Sequence, residues 1–137
     1  YFHKLYQYMI KKIMNETSQG FMEHNGGLSL KKIDESNYEF KVEVKNIHLN
    51  AGRTAHGGFL STIADTGMGT AAHQSAGNKR CVTISLDVKF IYPALEGQFL
   101  DGIIKILKKT KSLIFVECKI YNQQSIVILS SGVWKIL

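Results

Sequence analysis

Between Arg53 and Lys79 the chain carries one charged side chain, Asp65, inside a run of small and apolar residues. The run opens on His56-Gly57-Gly58, continues through Phe59 and Ile63 to His73, and is closed by Gly77-Asn78. Such a stretch predicts one helix of about 18 residues, roughly 27 Å long at 1.5 Å per residue. Its glycines and β-branched residues make it a poor helix in isolation, so tertiary packing has to hold it. Small side chains at Ala64, Gly67, Gly69, Ala71 and Ala72 suit a helix gripped closely on several sides.

Asp65 admits two readings. A carboxylate without a cation within two turns is expensive to bury, so it either bonds a neighbouring Thr or backbone amide, or works in a mostly apolar cleft. The glycine pair favours the second reading, because glycines at a helix start let a ligand approach free N–H groups at the positive end of the helix dipole. Eight residues of helix separate Gly57 from Asp65, roughly 12 Å. A carboxylate and an oxyanion donor acting on one carbonyl must both lie close to the reacting atom. If both residues are catalytic, Asp65 of one subunit faces Gly57 of another and the active form is at least a dimer.

The remaining sequence reads mostly as strands. Residues 2–14 set Phe2, Leu5, Tyr6, Met9, Ile10 and Ile13 on one helical face, an N-terminal amphipathic helix packing on the body. Residues 15–27 are expected to be loop, with His24 solvent-exposed. Residues 28–33 form a short strand, and Tyr38, Phe40, Val42 and Val44 alternate with charged residues in a second. Residues 46–55 are loop. After the long helix, residues 81–92 place Val82, Ile84, Leu86, Val88 and Phe90 on one side and stop at Pro93. Strands over 98–107, 113–121 and 125–136 complete a meander, with residues 108–111 as a turn. Short turns between consecutive strands imply an antiparallel sheet. The expectation is an α+β fold: five to six antiparallel strands wrapped around one long central helix, as a single domain over residues 1–137.

Composition narrows the class. With 137 residues, 45% of them hydrophobic and 20% charged, the chain suits one globular domain with a real core. No apolar run approaches a membrane span and no cleavable signal peptide is visible; the chain begins at Tyr1 without Met, so the true N-terminus is expected to lie ahead of it. Cys81 and Cys118 sit in strand-like runs and read as reduced core thiols of a cytoplasmic protein. A net charge of +6 favours an anionic partner, yet Arg53 and Arg80 are the only arginines and no nucleic-acid-binding motif appears. His48, His56 and His73 lack metal-ligand spacing, and no metal is expected.

Three local matches carry a family resemblance: His48-Leu49-Asn50 followed by His56-Gly57-Gly58; Asp65 in an Ile-Ala-Asp context; and the run from Thr83 to Tyr92-Pro93-Ala94. Together with the element order, over residues 28–136, they resemble the hotdog-fold acyl-CoA thioesterases of the phenylacetate-degradation type. The resemblance implies hydrolysis of an acyl-CoA to a carboxylic acid and free CoA, with no cofactor beyond the coenzyme A of the substrate. It makes Gly57 the backbone donor to the thioester carbonyl, Asp65 of the facing subunit the general base or nucleophile, and Asn50 and Thr83 the holders of water or carbonyl. One departure touches Asn50: Gly52 stands four residues before His56, where the family more often has its glycine three before.

His56 joins the catalytic candidates, although bonding backbone near the helix start is its simpler role. Thr83 falls on the polar phase of its strand, where a solvent-facing Thr is equally expected. The acyl pocket would draw on Gly58, Phe59, Ser61, Thr62 and Met68. Lys79, Arg80, Lys89, Lys108 and Lys109 are candidates for meeting CoA phosphates. The resemblance also implies a homo-oligomer, a dimer or a dimer of dimers. Competing readings are an acyl-CoA-binding sensor or scaffold without turnover, and a hotdog hydroxyacyl dehydratase.

Overall fold

A computed structural model describes residues 1–5 and 20–137. Of the N-terminal amphipathic helix expected over residues 2–14, the part beyond residue 5 lies outside the described residues. The described elements are α1 (Gly20–His24), β1 (Leu30–Lys32), β2 (Asn37–Glu43), a 3-10 turn (Asn46–His48), α2 (Gly57–Ser75), β3 (Cys81–Phe90), β4 (Phe99–Lys109), β5 (Leu113–Tyr121) and β6 (Ile126–Ile136). Three expectations are corrected here. The five residues of α1 and the 3-10 turn fall where loops were expected, both being too short to show a helical period. Lys108 and Lys109 belong to β4 rather than to the turn after it.

The six strands form one antiparallel sheet in the order β1-β2-β4-β5-β6-β3. Strands β4, β5 and β6 are the expected meander. β3 is not beside β4: it crosses to the far edge and pairs with β6. α2 lies on one face of this sheet and buries Phe59, Leu60, Ile63, Ala64, Gly67, Met68, Ala71 and Ala72, the three-to-four-residue spacing of a helix with one covered side. Opposite stand Phe40, Leu100, Ile104, Ile114, Val116, Ile128 and Trp134, all buried. Burial of each large apolar side chain contributes roughly 1.5–3 kcal/mol, which supplies the packing that the helix needs in place of propensity. The approach is close. A Cβ on Gly67 would stand 2.6 Å from the Phe40 ring, and one on Gly102 only 2.2 Å from the same ring.

Strict alternation along β3 is also corrected. Thr83 pairs with Trp134 and Ser85 with Val133, so the register slips by one residue around Ile84. Cross-strand partners share a face. Thr83 therefore points with buried Trp134 toward α2, and beyond the bulge Leu86, opposite Gly132, and Val88, opposite Ser130, take that direction. Val82, opposite Lys135, faces the other way. The five apolar residues do not share one side.

Candidate active site

Asp65 lies on the side of α2 next to β3, half-buried, with the Thr83 hydroxyl donating to its Oδ1 at 2.8 Å. The bulge at Ile84 makes this contact. Without it Thr83 would occupy the outward phase. Asp65 and Thr83 line a cleft of about 290 Å³ with Thr66, Gly69, Thr70, His73, Arg80, Cys81 and Trp134. No salt bridge holds the Asp65 carboxylate among the described residues.

The helix start is built differently. His56 is the N-cap of α2, and its Nδ1 accepts from the Gly58 N–H at 2.7 Å. A Cβ on Gly58 would lie 2.8 Å from that nitrogen, which explains the second glycine. The cap uses the Gly58 donor. The Gly57 N–H, one residue earlier, has no hydrogen-bond partner among the described residues and carries the positive end of the helix dipole. Gly57 opens on a second cleft, about 310 Å³, walled by Thr54, Ala55, Leu60, Phe90, Ile91, Tyr92 and Pro93. Within one chain Gly57 and Asp65 thus line separate clefts, two turns apart on one helix.

Asn50 closes its own loop. Its Oδ1 accepts from the Thr54 N–H at 3.1 Å, its Nδ2 donates to Thr54 Oγ1 at 3.1 Å, and Arg53 between them takes a positive φ of 66°. The loop is tied to the domain by the Ala55 N–H donating to the Ala94 carbonyl and the His56 N–H donating to the His48 carbonyl, both at 2.8 Å. In this chain the Asn50 side chain is a loop fastener beside the helix start.

Three of the expected pocket residues stand away from both clefts. Phe59 is 6% exposed and turns inward, its ring stacked on His48 at 3.6 Å and 8°. Met68 is 0% exposed, because it follows Asp65 by three residues onto the sheet-facing side. Lys89 stands opposite Leu129, on the sheet face away from α2, and pairs with Asp87 at 2.5 Å. Gly58, Ser61 and Thr62 line neither cleft; the Thr62 hydroxyl donates to the Gly58 carbonyl at 2.7 Å. Of the proposed phosphate-binding cations, Arg80 alone lines either cleft, and Lys109 donates to the Ser75 carbonyl at 2.8 Å. A larger depression of about 670 Å³ lies on the opposite sheet face, but its Lys41 and Asp101 pair with each other at 3.5 Å and it offers no helix terminus.

His48 was not singled out by the sequence beyond its place in a motif. It is 2% exposed; Nδ1 accepts from the Lys45 N–H at 2.9 Å, so the proton sits on Nε2, which donates to the Asn25 carbonyl at 2.8 Å. Burial holds its pKa below the ordinary 6.5, the Lys45 charge acts in the same direction, and the Asn25 carbonyl opposes them. The neutral ring ties α1, the 3-10 turn and the first turn of α2 together. Cys118 is an inert core thiol, pushed up to about 12 by burial, and burial also raises Cys81.

Among the described residues no cluster of three or more His, Cys, Asp or Glu could hold a metal ion, and no helix is long and apolar enough to cross a membrane.

Residues 52–128, more than half of the chain, match the sequence profile of the thioesterase superfamily. A Pseudomonas aeruginosa protein whose name describes an inferred esterase is 33% identical over 94 residues, covering 68% of this chain and 70% of that protein. Among solved structures, the PaaI protein from the E. coli phenylacetic acid degradation operon superposes with a TM-score of 0.80 at 23% identity, covering 98% of this chain and 94% of that one. A Streptococcus pneumoniae hypothetical thioesterase solved with coenzyme A gives 0.74 at 20% identity, over 80% of this chain and 85% of that one. These two likenesses bear on the fold; the profile and the Pseudomonas relative bear on the family, and membership supports thioester hydrolysis in general terms. By sequence and by architecture, this chain is a member of the thioesterase superfamily with the hotdog fold.

Proposed function

We propose that the protein hydrolyses an acyl-CoA thioester to the carboxylic acid and CoA, at a site completed by two copies of the chain. The observation that carries this reading is the division of labour along α2: an unpartnered N–H at Gly57 in one cleft and a carboxylate at Asp65 in another. Each is half of a thioesterase site, and facing copies bring the halves together. β3 supports the pairing, since among the described residues one of its edges is unpaired while Ile84, Leu86 and Phe90 beside it are exposed.

The chemistry follows from the groups. A thioester carbonyl is already electrophilic, so one carboxylate and one oxyanion donor suffice. The Gly57 N–H receives the developing oxyanion. Thr83 holds Oδ1 of Asp65 and leaves Oδ2 to take a proton from water, whose oxygen adds to the carbonyl carbon. Collapse of the tetrahedral intermediate breaks the C–S bond, and the CoA sulfur leaves with the proton. Attack by Asp65 itself, through an anhydride that water then opens, uses the same placement. Coenzyme A enters as part of the substrate, and the proposed setting is the cytoplasm, with a dimer or a dimer of dimers as the working form. The test is free-thiol release from short, long and aromatic acyl-CoAs. Asp65→Asn is expected to lower turnover about 10²–10⁴-fold with the oligomer intact. Equal turnover by both proteins would remove Asp65 from the mechanism, and binding without turnover by wild type would make this an acyl-CoA sensor.

A further inference from the structure

The Asp65 cleft extends past the carboxylate along α2, and the hydrogen bonds of its walls can be accounted for group by group. The Thr83 hydroxyl donates to Asp65 Oδ1 and the Thr70 hydroxyl to the Thr66 carbonyl at 2.7 Å. His73 Nδ1–H donates to the Lys79 carbonyl at 2.6 Å, and the Cys81 thiol points at the same oxygen from 3.6 Å. The other His73 nitrogen, an acceptor in this tautomer, is sealed from solvent and has no hydrogen-bond partner among the described residues. Besides the exposed Arg80 guanidinium, two donors remain without a protein partner among the described residues: the Thr66 hydroxyl, and the Nε1–H of Trp134, a residue only 1% exposed overall. A Cβ on Gly69 would meet that indole nitrogen first, at 3.1 Å, so Nε1 faces the helix where it carries no side chain. Arg80 adds a cation at the rim.

The Trp134 Nε1–H meets the cleft rather than a protein acceptor, so a ligand that displaces water from it without supplying an acceptor loses that hydrogen bond, and one that supplies an acceptor is favoured. We infer that the Asp65 cleft receives the acyl group and selects acyl chains bearing an oxygen acceptor near their distal end, read by the Trp134 Nε1–H and the Thr66 hydroxyl. The inference rests on the hydrolase reading above. Gly69 lies one helical turn beyond Asp65, about 6 Å along the axis, the reach of a short acyl chain from its thioester carbon. Hydroxyl, keto and carboxylate oxygens share the required chemistry, and Arg80 favours the last.

The experiment compares kcat/KM for butyryl-CoA with 3-hydroxybutyryl-, acetoacetyl- and succinyl-CoA, in wild type, Trp134→Phe, Thr66→Val and Arg80→Gln. Wild type is expected to prefer oxygenated chains about tenfold. Trp134→Phe removes the N–H while keeping an aromatic ring, and the ratio should fall toward one; Thr66→Val, outside the core, should lower it in a protein of unchanged stability. Loss confined to succinyl-CoA in Arg80→Gln identifies the carboxylate as the preferred oxygen. A wild type that turns over butyryl-CoA equally well, or ratios unmoved by both Trp134→Phe and Thr66→Val, would overturn the inference. Should no thioester be hydrolysed, the hydrolase reading fails by itself, and calorimetric affinities for the same four thioesters decide: tighter binding of oxygenated chains that Trp134→Phe abolishes supports the cleft assignment, and equal binding overturns it.

Discussion

At the helix start three residues divide two roles: His56 consumes the Gly58 donor, and the Gly57 N–H stays open. This predicts a contrast at one position. Proline is tolerated at the first helical residue but has no N–H, whereas alanine keeps the donor and adds the same first carbon, 3.3 Å from the Phe90 ring. Gly57→Pro should lower kcat about 10²–10³-fold, and Gly57→Ala far less, in steady-state assays on the best thioester. His48 predicts a pH dependence. Its folded pKa lies below the ordinary 6.5, so the unfolded chain protonates first. The stability it contributes is present above pH 6.5 and is lost as pH falls from there through the folded value. Urea unfolding of wild type should therefore weaken more steeply on acidification than that of His48→Gln, whose amide can still donate to the Asn25 carbonyl. Asp65 was legible in the sequence because it is the lone charge in an apolar run. Phe59 and His48 were not, because their partners lie across the fold and Asn25 is 23 residues away from His48.

Among elements, the contact that matters most is between α2 and the sheet. Gly67 on the helix and Gly102 on β4 both make room for Phe40, so one ring sets the spacing between the layers. Gly102→Ala forces a carbon to 2.2 Å from that ring and should destabilise the protein by about 1–3 kcal/mol, measured by chemical denaturation. The bulge in β3 performs the other essential adjustment, turning Thr83 toward Asp65. Periodicity found the long helix and the existence of most strands, since these are long and strongly patterned. It could not find a one-residue register slip, which leaves no trace in a residue-by-residue count of apolar positions. Nor could it place β3 at the sheet edge against β6, a pairing fixed by packing over a long connection rather than by any local turn.

At the scale of the whole molecule, the proposed site requires two copies, each chain contributing one half to each of two sites. Gly57 and Asp65 sit two turns apart on a single rigid helix, and no side-chain rotation brings them to one carbonyl. Mixing subunits tests this directly. Asp65→Asn supplies a good Gly57 and a dead carboxylate; Gly57→Pro supplies the reverse. Each homodimer should be nearly inactive. After the two are unfolded together and refolded at equal concentration, half of the dimers are mixed and each mixed dimer keeps one intact site, so thiol release should return to about a quarter of the wild-type rate. Activity that stays at the level of the separate variants, with mixed dimers demonstrated by mass, would contradict a site shared between two copies.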